Sequence, residues 1–291
     1  MSKYVIITPA HNEEDFIVET LQSMVAQTIL PVRWVIVDDA STDGTGAVVA
    51  EWAKRHPFIR HVTLQREQGR NFARKAIAFK AGLQELQDVN FDYIGNVDAD
   101  MSFKPEYFEN ILRDFAEDTK LGISGGIVYT KFTEKFITYD TTADSVGGKV
   151  QLFRRECFES VGGYIPLKHG GIDTAAEIMA RMKGWTVRKS FKEHTFEHRR
   201  TSFAWGSPLK AKMREGSHFH SLGYDPLFYF LRCIYRLKEY PFIIGSLSAL
   251  LGYMIHMLRR EPVTLPRRVV DYLKKEQRAK LRHFFHLRSS S

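Results

Sequence analysis

The chain has 291 residues, 44% hydrophobic and 26% charged, with a formal net charge of +8. That is the composition of a globular protein with a sizeable core, and there is no internal repeat and no low-complexity segment beyond the terminal serines. Its two cysteines, Cys157 and Cys233, stand far apart, which argues against a disulfide framework or a cysteine zinc site and fits a reducing cytoplasm.

The N-terminal apolar run stops at Pro9, too short for a signal-peptide core, so export is not expected. Charge is unevenly placed. From Arg259 to Ser291 there are ten Lys/Arg against three acids, a surplus of seven that accounts for nearly all of the +8. The front of the chain is almost neutral and the tail is basic.

Taken in order, Lys3 to Thr8 reads as a strand. Asn12 is placed to cap a helix opening on Glu13, Glu14 and Asp15, with Phe16, Ile17, Thr20, Leu21, Met24 and Val25 at helical spacing. Trp34 to Val37 is a second buried strand, closed by Asp38-Asp39, and Ser41, Thr42 and Asp43 offer caps for a helix to about His56. His61 to Leu64 is a third strand, Gly69 to Gln87 an amphipathic helix, and Asp92 to Val97 a fourth strand. Strands alternating with helices predict a mainly parallel sheet covered on both faces.

A helix is expected from about Pro105 to Asp118, then strands at Gly122 to Phe132 and Lys149 to Phe153. Gly162-Gly163 and Gly170-Gly171 mark turns, and "TAAEIMARMKGW" predicts a helix ending at Gly184. From about Trp205 helical patterns take over, interrupted by Pro226, Pro241, Pro262 and Pro266.

Ligands of such sheets bind beyond the carboxyl ends of the strands. "TPAHNE", "DDASTDGT" and "DAD" all fall there, after the first, second and fourth strands. The pair Asp98 and Asp100 suits a hard divalent cation, Mg²⁺ or Mn²⁺, which takes oxygen ligands and leaves positions open for phosphate. There is no G-x-G-x-x-G fingerprint and no G-x-x-x-x-G-K-S/T loop, so neither NAD binding nor a P-loop NTPase is expected.

Five segments, "VIITPAHNEEDFIVETLQSMVAQT", "WVIVDDASTDGT", "GRNFARKAIAFKAG", "YIGNVDAD" and "LFRRECFESVGGY", together resemble the family 2 glycosyltransferases of the GT-A fold. They cover most of Tyr4 to about Arg200. The resemblance implies an α/β GT-A domain over residues 1–204, with a nucleotide-binding part at 1–100 and an acceptor part at 101–204. Residues 205–291 would be a helical, basic extension. It also implies a nucleotide-sugar donor, a divalent metal and transfer with inversion. Pro9, Ala10 and Glu13 would line the base and ribose pocket. Asp39 would accept from the base, most naturally the N3–H of a uracil, while Asp38 and Asp43 read as structural. Arg74 would touch the base or diphosphate, and Lys75 stands where the family more often has Asn. Asp98 would reach the ribose or metal and Asp100 would hold the metal. Of two late histidines, His198 is the better placed as a further metal ligand, and Arg199 and Arg200 face either diphosphate or solvent. Asp173 and Glu177 compete for the catalytic base, Asp173 being preferred because a loop–helix junction approaches an acceptor more easily.

"QLFRR" resembles the Q-x-x-R-W of processive synthases only superficially, since it precedes the base helix and ends in Arg155. One sugar per acceptor is therefore expected. The acceptor would be a glycan or a lipid-linked molecule, and no nucleic acid is expected as a partner. A sugar nucleotidyltransferase would want a glycine-rich basic loop where this chain has acidic "TPAHNEED", and a non-catalytic sugar-nucleotide binder would not need Asp98, Asp100 and Asp173 together. Tyr240 to Leu258 carries no charge over 19 positions, at the short end for a membrane span. With aromatic residues before it and basic ones after, it suits either a core helix or peripheral attachment to the inner face of the cytoplasmic membrane.

Overall fold

The structure is a computed structural model that describes residues 2–65, 73–132, 134–138, 142–167, 169–199, 207–238 and 241–289. The expected helix start at Gly69, together with Arg200, Trp205 and Tyr240, lies outside the described residues. The chain folds as two compact units, residues 1–168 with 172–200, and residues 169–171 with 201–291.

The first unit begins with β1 (Tyr4–Ala10), α1 (Ile17–Val25), β2 (Arg33–Asp38), α2 (Thr45–Arg55), β3 (Ile59–Thr63), α3 (Ala73–Gln84) and β4 (Tyr93–Val97). It continues through β5 (Met101–Phe103), α4 (Tyr107–Glu117), β6 (Leu121–Phe132), β7 (Lys135–Ile137), β8 (Val150–Arg154), α5 (Arg155–Val161), α6 (Ile172–Met182) and β9 (Thr186–Glu197). Among the described residues the strands form one sheet in the order β3-β2-β1-β4-β8-β6-β9-β5, with β7 beside β6. The first four strands run parallel, β8 enters antiparallel between β4 and β6, and β9 runs parallel to β6 and antiparallel to β5. Helices cover the parallel half, so its inner strands β1 and β2 are continuous apolar runs, while the edge strand β3 (IRHVT) is not. Tyr4, Val5, Ile6, Ile7, Trp34, Val35, Ile36 and Val37 are all fully buried.

Three local expectations need correction. The first helix starts at Ile17, not at Glu13, because Asn12 takes a left-handed conformation (φ 54°) and residues 13–16 close a turn on the Glu13 carbonyl. Asparagine adopts that region more readily than most residues. The strand expected at Lys149 to Phe153 runs from Val150 to Arg154, and the short helix α5, which was not expected, follows it at once, with Gly162 at φ 76° as its C-cap. The segment 186–197, where no strand is expected from the pattern, is a twelve-residue strand. Of its buried positions only Val187 is apolar; Lys189, Glu193, Thr195 and Glu197 are polar or charged, so the usual apolar alternation is missing.

The second unit is helical: α7 (Pro208–Ser221), α8 (Pro226–Tyr235), a 3₁₀ turn at Arg236–Lys238, α9 (Phe242–Leu258) and α10 (Arg267–Ser289). Asp225 caps α8 through the Leu227 and Phe228 amides, with Pro226 as its first residue. Helices α7 and α9 approach backbone to backbone. A Cβ on Gly216 would stand 1.9 Å from the Ala249 carbonyl oxygen, and one on Gly252 1.9 Å from that of Met213, so only hydrogen fits at either place.

Helix α9 is apolar on both sides. Gly245, Ser246, Ala249, Gly252 and Tyr253 face inward, while Phe242, Ile243, Ile244, Leu247, Leu251 and Leu258 are exposed, Leu247 by 58% and Leu258 by 73%. The reading of 240–258 as a buried core helix is thus met on one face only. Among the described residues no helix is long and apolar enough to cross a membrane.

Candidate active site

The loops after β1 and β2 are stitched together by short polar contacts. The Asn12 amide donates to Ser41 Oγ (3.0 Å), Thr42 N–H to Asn12 Oδ1 (2.8 Å) and Glu13 N–H to Thr45 Oγ1 (2.8 Å). Asp43 accepts from the Thr45 and Glu14 amides, and Asp38 from that of Ser41, so both acids are structural as expected. Pro9 and Ala10 end β1 in register with Val37 and Asp38. Asp39 follows at once, its amide bonded to the Ala10 carbonyl (2.8 Å) and its buried carboxylate gripped on both oxygens by Arg74, with Nε at 2.9 Å. The two groups proposed to meet the nucleotide therefore hold each other in place.

The backbone of Asp100 is pinned by a residue that sequence reasoning passed over. Thr20, fully buried on α1, donates its hydroxyl to the Ala99 carbonyl (2.8 Å) and accepts the Met101 amide (2.9 Å). In the sequence Thr20 looks like one more inward position of a helix. From the other side, β5 pairs Met101 with Glu197, and the His198 amide donates to the Asp100 carbonyl (2.9 Å).

This pairing gathers acids. Asp100 is in electrostatic reach of Glu13, Asp98 and Glu197, and Glu13 also of Asp98, with Lys149 and Arg199 among them. Burial pushes Asp100 up to about 6, with Asp98 and Glu197 adding to the rise and Lys149 and Arg199 opposing it. Burial and Asp100 push Glu13 up to about 7 against the pull of Arg199. Lys149, ion-paired to Glu197, is held above the ordinary lysine range because Glu197, Asp100 and Asp98 outweigh burial. Arg199 bonds Glu13 and the Asn12 carbonyl, while its Nε, 3.9 Å from Asp100, is buried without a hydrogen-bond partner. Buried carboxylates with raised pKa values beside an unsatisfied guanidinium N–H fit a divalent cation and an anionic ligand.

Among the described residues, Asp98, Asp100 and His198 do not bring three ligand atoms within 4.8 Å. His198 instead has its Nε2 2.8 Å from Ser102 Oγ, so while that contact holds only Nδ1 is open to a metal. Lys75, to which the family pattern gave no clear role, reaches Asp98 Oδ1 (2.5 Å) and the Gly148 carbonyl (2.9 Å). Asn96 makes the same two contacts, at 3.1 and 2.8 Å.

Gly148 links both candidate halves of the site. Its carbonyl faces the Lys75–Asp98 pair, and its amide donates to Asp173 Oδ2 (3.1 Å). A Cβ on Gly148 would stand 2.5 Å from that oxygen, so glycine permits the approach. Glu177 is different. It is buried, accepts from the Val146 amide (2.7 Å), Ser145 Oγ (2.9 Å) and Gln151 Nε2 (3.2 Å), and burial pushes it up to about 8. It braces the segment that carries Gly148. Asp173 is only partly buried.

Residues 5–175, more than half of the chain, match the family model described as Glycosyl transferase family 2. The chain belongs to glycosyltransferase family 2. This family 2 chain is 28% identical over 151 residues to a chondroitin synthase of Escherichia coli, covering 52% of this chain and 20% of that protein. It is 30% identical over 112 residues to a putative teichuronic acid biosynthesis glycosyltransferase, TuaG, of Bacillus subtilis (strain 168), covering 38% and 41%. The matched segments thus span less than half the length of these curated relatives. Among solved structures, a mannosyltransferase of Pyrobaculum calidifontis in complex with GDP-Man and Mn²⁺ superposes with a TM-score of 0.59 at 18% identity, covering 96% of this chain and 80% of that one. S. aureus TarS 1–349 in complex with UDP-GlcNAc superposes at 0.52 and 16% identity, covering 88% and 73%. At such identities the likeness carries the fold alone, which is that of the GT-A glycosyltransferases.

Proposed function

We propose that this family 2 chain transfers one sugar from a nucleotide-sugar, a UDP-sugar being favoured, to a hydroxyl of a glycan or lipid-linked acceptor, with inversion and with a divalent cation. The observation that carries this reading is the cluster of buried Asp100 and Glu197 with partly buried Asp98 and Glu13 at the carboxyl edge of the sheet, joined through Gly148 to Asp173. Asp98 and Asp100 would hold Mg²⁺ or Mn²⁺, with His198 as a further ligand. The ion would act as a Lewis acid on the departing diphosphate.

The chain's own groups divide the remaining work. Pro9, Ala10 and Glu13 border the nucleoside. Asp39, steadied by Arg74, accepts from the base, and a carboxylate there favours the N3–H of uracil. Arg199 offers its unsatisfied Nε–H to developing negative charge. Asp173 takes the acceptor hydroxyl proton, having one oxygen tied to Gly148 and the other side chain oxygen left to face the acceptor. A thermal-shift screen of nucleotide-sugars with and without Mn²⁺ tests the donor, since a ligand bound only by the native state raises apparent stability. A UDP-sugar is expected to raise the melting temperature only with Mn²⁺. Equal shifts without metal, or none from any nucleotide-sugar, would overturn the reading.

The exposed face of α9 supports a lipid-linked acceptor. Phe242, Ile243, Leu247, Leu251 and Leu258 form an exposed apolar stripe on α9, and Leu227, Phe230 and Tyr235 of α8 are exposed as well. Exposed Lys238, Arg259, Arg260, Arg267 and Arg268 flank it in sequence. An apolar stripe with basic ends fits an anionic bilayer surface, each basic residue contributing about 1 kcal/mol there. The chain is expected to sediment with anionic liposomes at low salt, less so at high salt, and less still with Leu247→Asp and Leu251→Asp together. A folded protein that ignores such liposomes would remove the membrane from the proposal and leave the donor reading untouched.

A further inference from the structure

We propose that His169, His256 and Glu261 form a binding site for a transition-metal dication of the zinc class, built within the helical unit and sharing no residue with the acid cluster. Among the described residues, this is the group of three His, Cys, Asp or Glu side chains that brings one ligand atom each to within 4.8 Å of the others. His256 Nε2 lies 3.3 Å from Glu261 Oε2, and His169 Nε2 lies 4.0 Å from the same oxygen. A tetrahedral ion with bonds of about 2.1 Å sets its ligands about 3.4 Å apart. One edge is thus already at that spacing, and a small side-chain rotation brings His169 to the other.

His256 Nδ1 stands 3.1 Å from the Gly252 carbonyl one helical turn back. With Nδ1 donating to that carbonyl, Nε2 would offer its lone pair to an ion at the cluster in place of its contact with Glu261. Metal-bound imidazoles are held in this way by an outer hydrogen bond. Glu261 is brought back over the end of α9 by a closing turn. Its amide donates to the His256 carbonyl (3.0 Å), that of Arg260 to the Met257 carbonyl (3.0 Å), and Arg260 takes φ 53° where glycine is usual. On the third side, Gly170 and Gly171 (φ 83° and 85°) carry His169 close to α7, where a Cβ on Gly171 would meet His218 at 2.0 Å.

A second observation is independent of these three residues. His220 is 9% exposed, and its Nδ1 is buried with no hydrogen-bond partner. Its ring centroid lies 6.2 Å from that of His256. A buried unsatisfied imidazole nitrogen costs free energy, and an ion or its bound water beside it would remove that cost. Imidazole with one carboxylate suits Zn²⁺, Co²⁺ or Ni²⁺ rather than Mg²⁺ or Ca²⁺. His169 precedes Asp173 by four positions in the chain. Sequence spacing could not reveal the site, because its ligands come from positions 169, 256 and 261.

The test is a Co²⁺ titration of the full chain, freed of metal by chelation and carrying Asp98→Asn and Asp100→Asn so that the acid pair does not contribute. Visible absorption and calorimetry follow the binding. One equivalent is expected to bind with the visible bands of imidazole-ligated Co²⁺ and to be displaced by Zn²⁺. His169→Gln, His256→Gln and Glu261→Gln should each weaken binding by about 100-fold or more. Glu261 is partly exposed, so its variant is the one expected to fold normally, as circular dichroism and melting would verify. No saturable Co²⁺ binding, or binding unchanged by all three substitutions, overturns the proposal. Because the acid pair is absent from the test protein, either result is independent of the donor-site reading.

Discussion

Asp100→Asn is expected to lower sugar transfer by about 10²-fold or more while leaving the fold intact. An amide is a poor ligand for a hard cation, and the diphosphate charge would go uncompensated as the glycosidic bond breaks. The fold should survive because the backbone of this segment is held by Thr20 and His198, not by the carboxylate. The carboxylate is itself a burden to the apo protein, pushed up to about 6 by burial and by neighbouring acids. The metal-free variant should therefore melt at the wild-type temperature or slightly above it. Transfer assays with and without EDTA, beside thermal melts, check both halves. If turnover withstands the substitution and the wild type also withstands EDTA, the metal has been misplaced.

Asp173→Asn is expected to abolish transfer and to leave donor affinity nearly unchanged, since the proposed base meets the acceptor. Glu177→Gln should be milder in turnover, and its main effect should appear in the pH dependence of stability. Burial raises Glu177 from 4.5 to about 8, so between those values the folded chain keeps a proton that the unfolded chain has released. Unfolding then releases a proton, and stability falls as pH rises through that window before levelling off above about 8. The Gln variant removes this titration and should flatten the curve. Donor affinity, turnover and melts at several pH values for both variants decide between the two acids. A Glu177 variant more damaged in turnover than the Asp173 variant would transfer the role of base, and lost donor affinity in the Asp173 variant would make that residue structural.

The parallel half of the sheet was legible because strands buried on both faces are written as apolar runs, as in "YVII" and "WVIV". The loops at their carboxyl ends carried their own chemistry in "DDASTDGT" and "DAD". β9 was not legible for a related reason. Of its buried positions only Val187 is apolar, and Glu193 and Glu197 meet Asn110, Thr130 and Lys149, so burial left almost no apolar trace. Lys149 and Glu197 were missed with it, although they form part of the acid cluster. Thr20 was hidden in the opposite way, as a polar residue at a helical position where an apolar one would serve the pattern equally well. The first helix was placed too early because Asn12 has two uses, capping a helix and adopting the left-handed region, and the sequence does not say which. The two faces of α9 could not be told apart at all, since both are apolar.

The acid cluster also has an arithmetic of charge. Fully ionised, Glu13, Asp98, Asp100 and Glu197 stand against Lys75, Lys149 and Arg199, a net of minus one in a largely buried space. A nucleotide-sugar diphosphate arriving alone would make that minus three, and a divalent ion alone would make it plus one. Arriving together they leave the balance where it was. Each ligand should therefore bind better in the presence of the other, and the coupling free energy must be the same whichever is added first. Nucleotide and metal would then behave at this site as a single neutral visitor, and free nucleotide in a metal-poor solution would be a weak competitor for it.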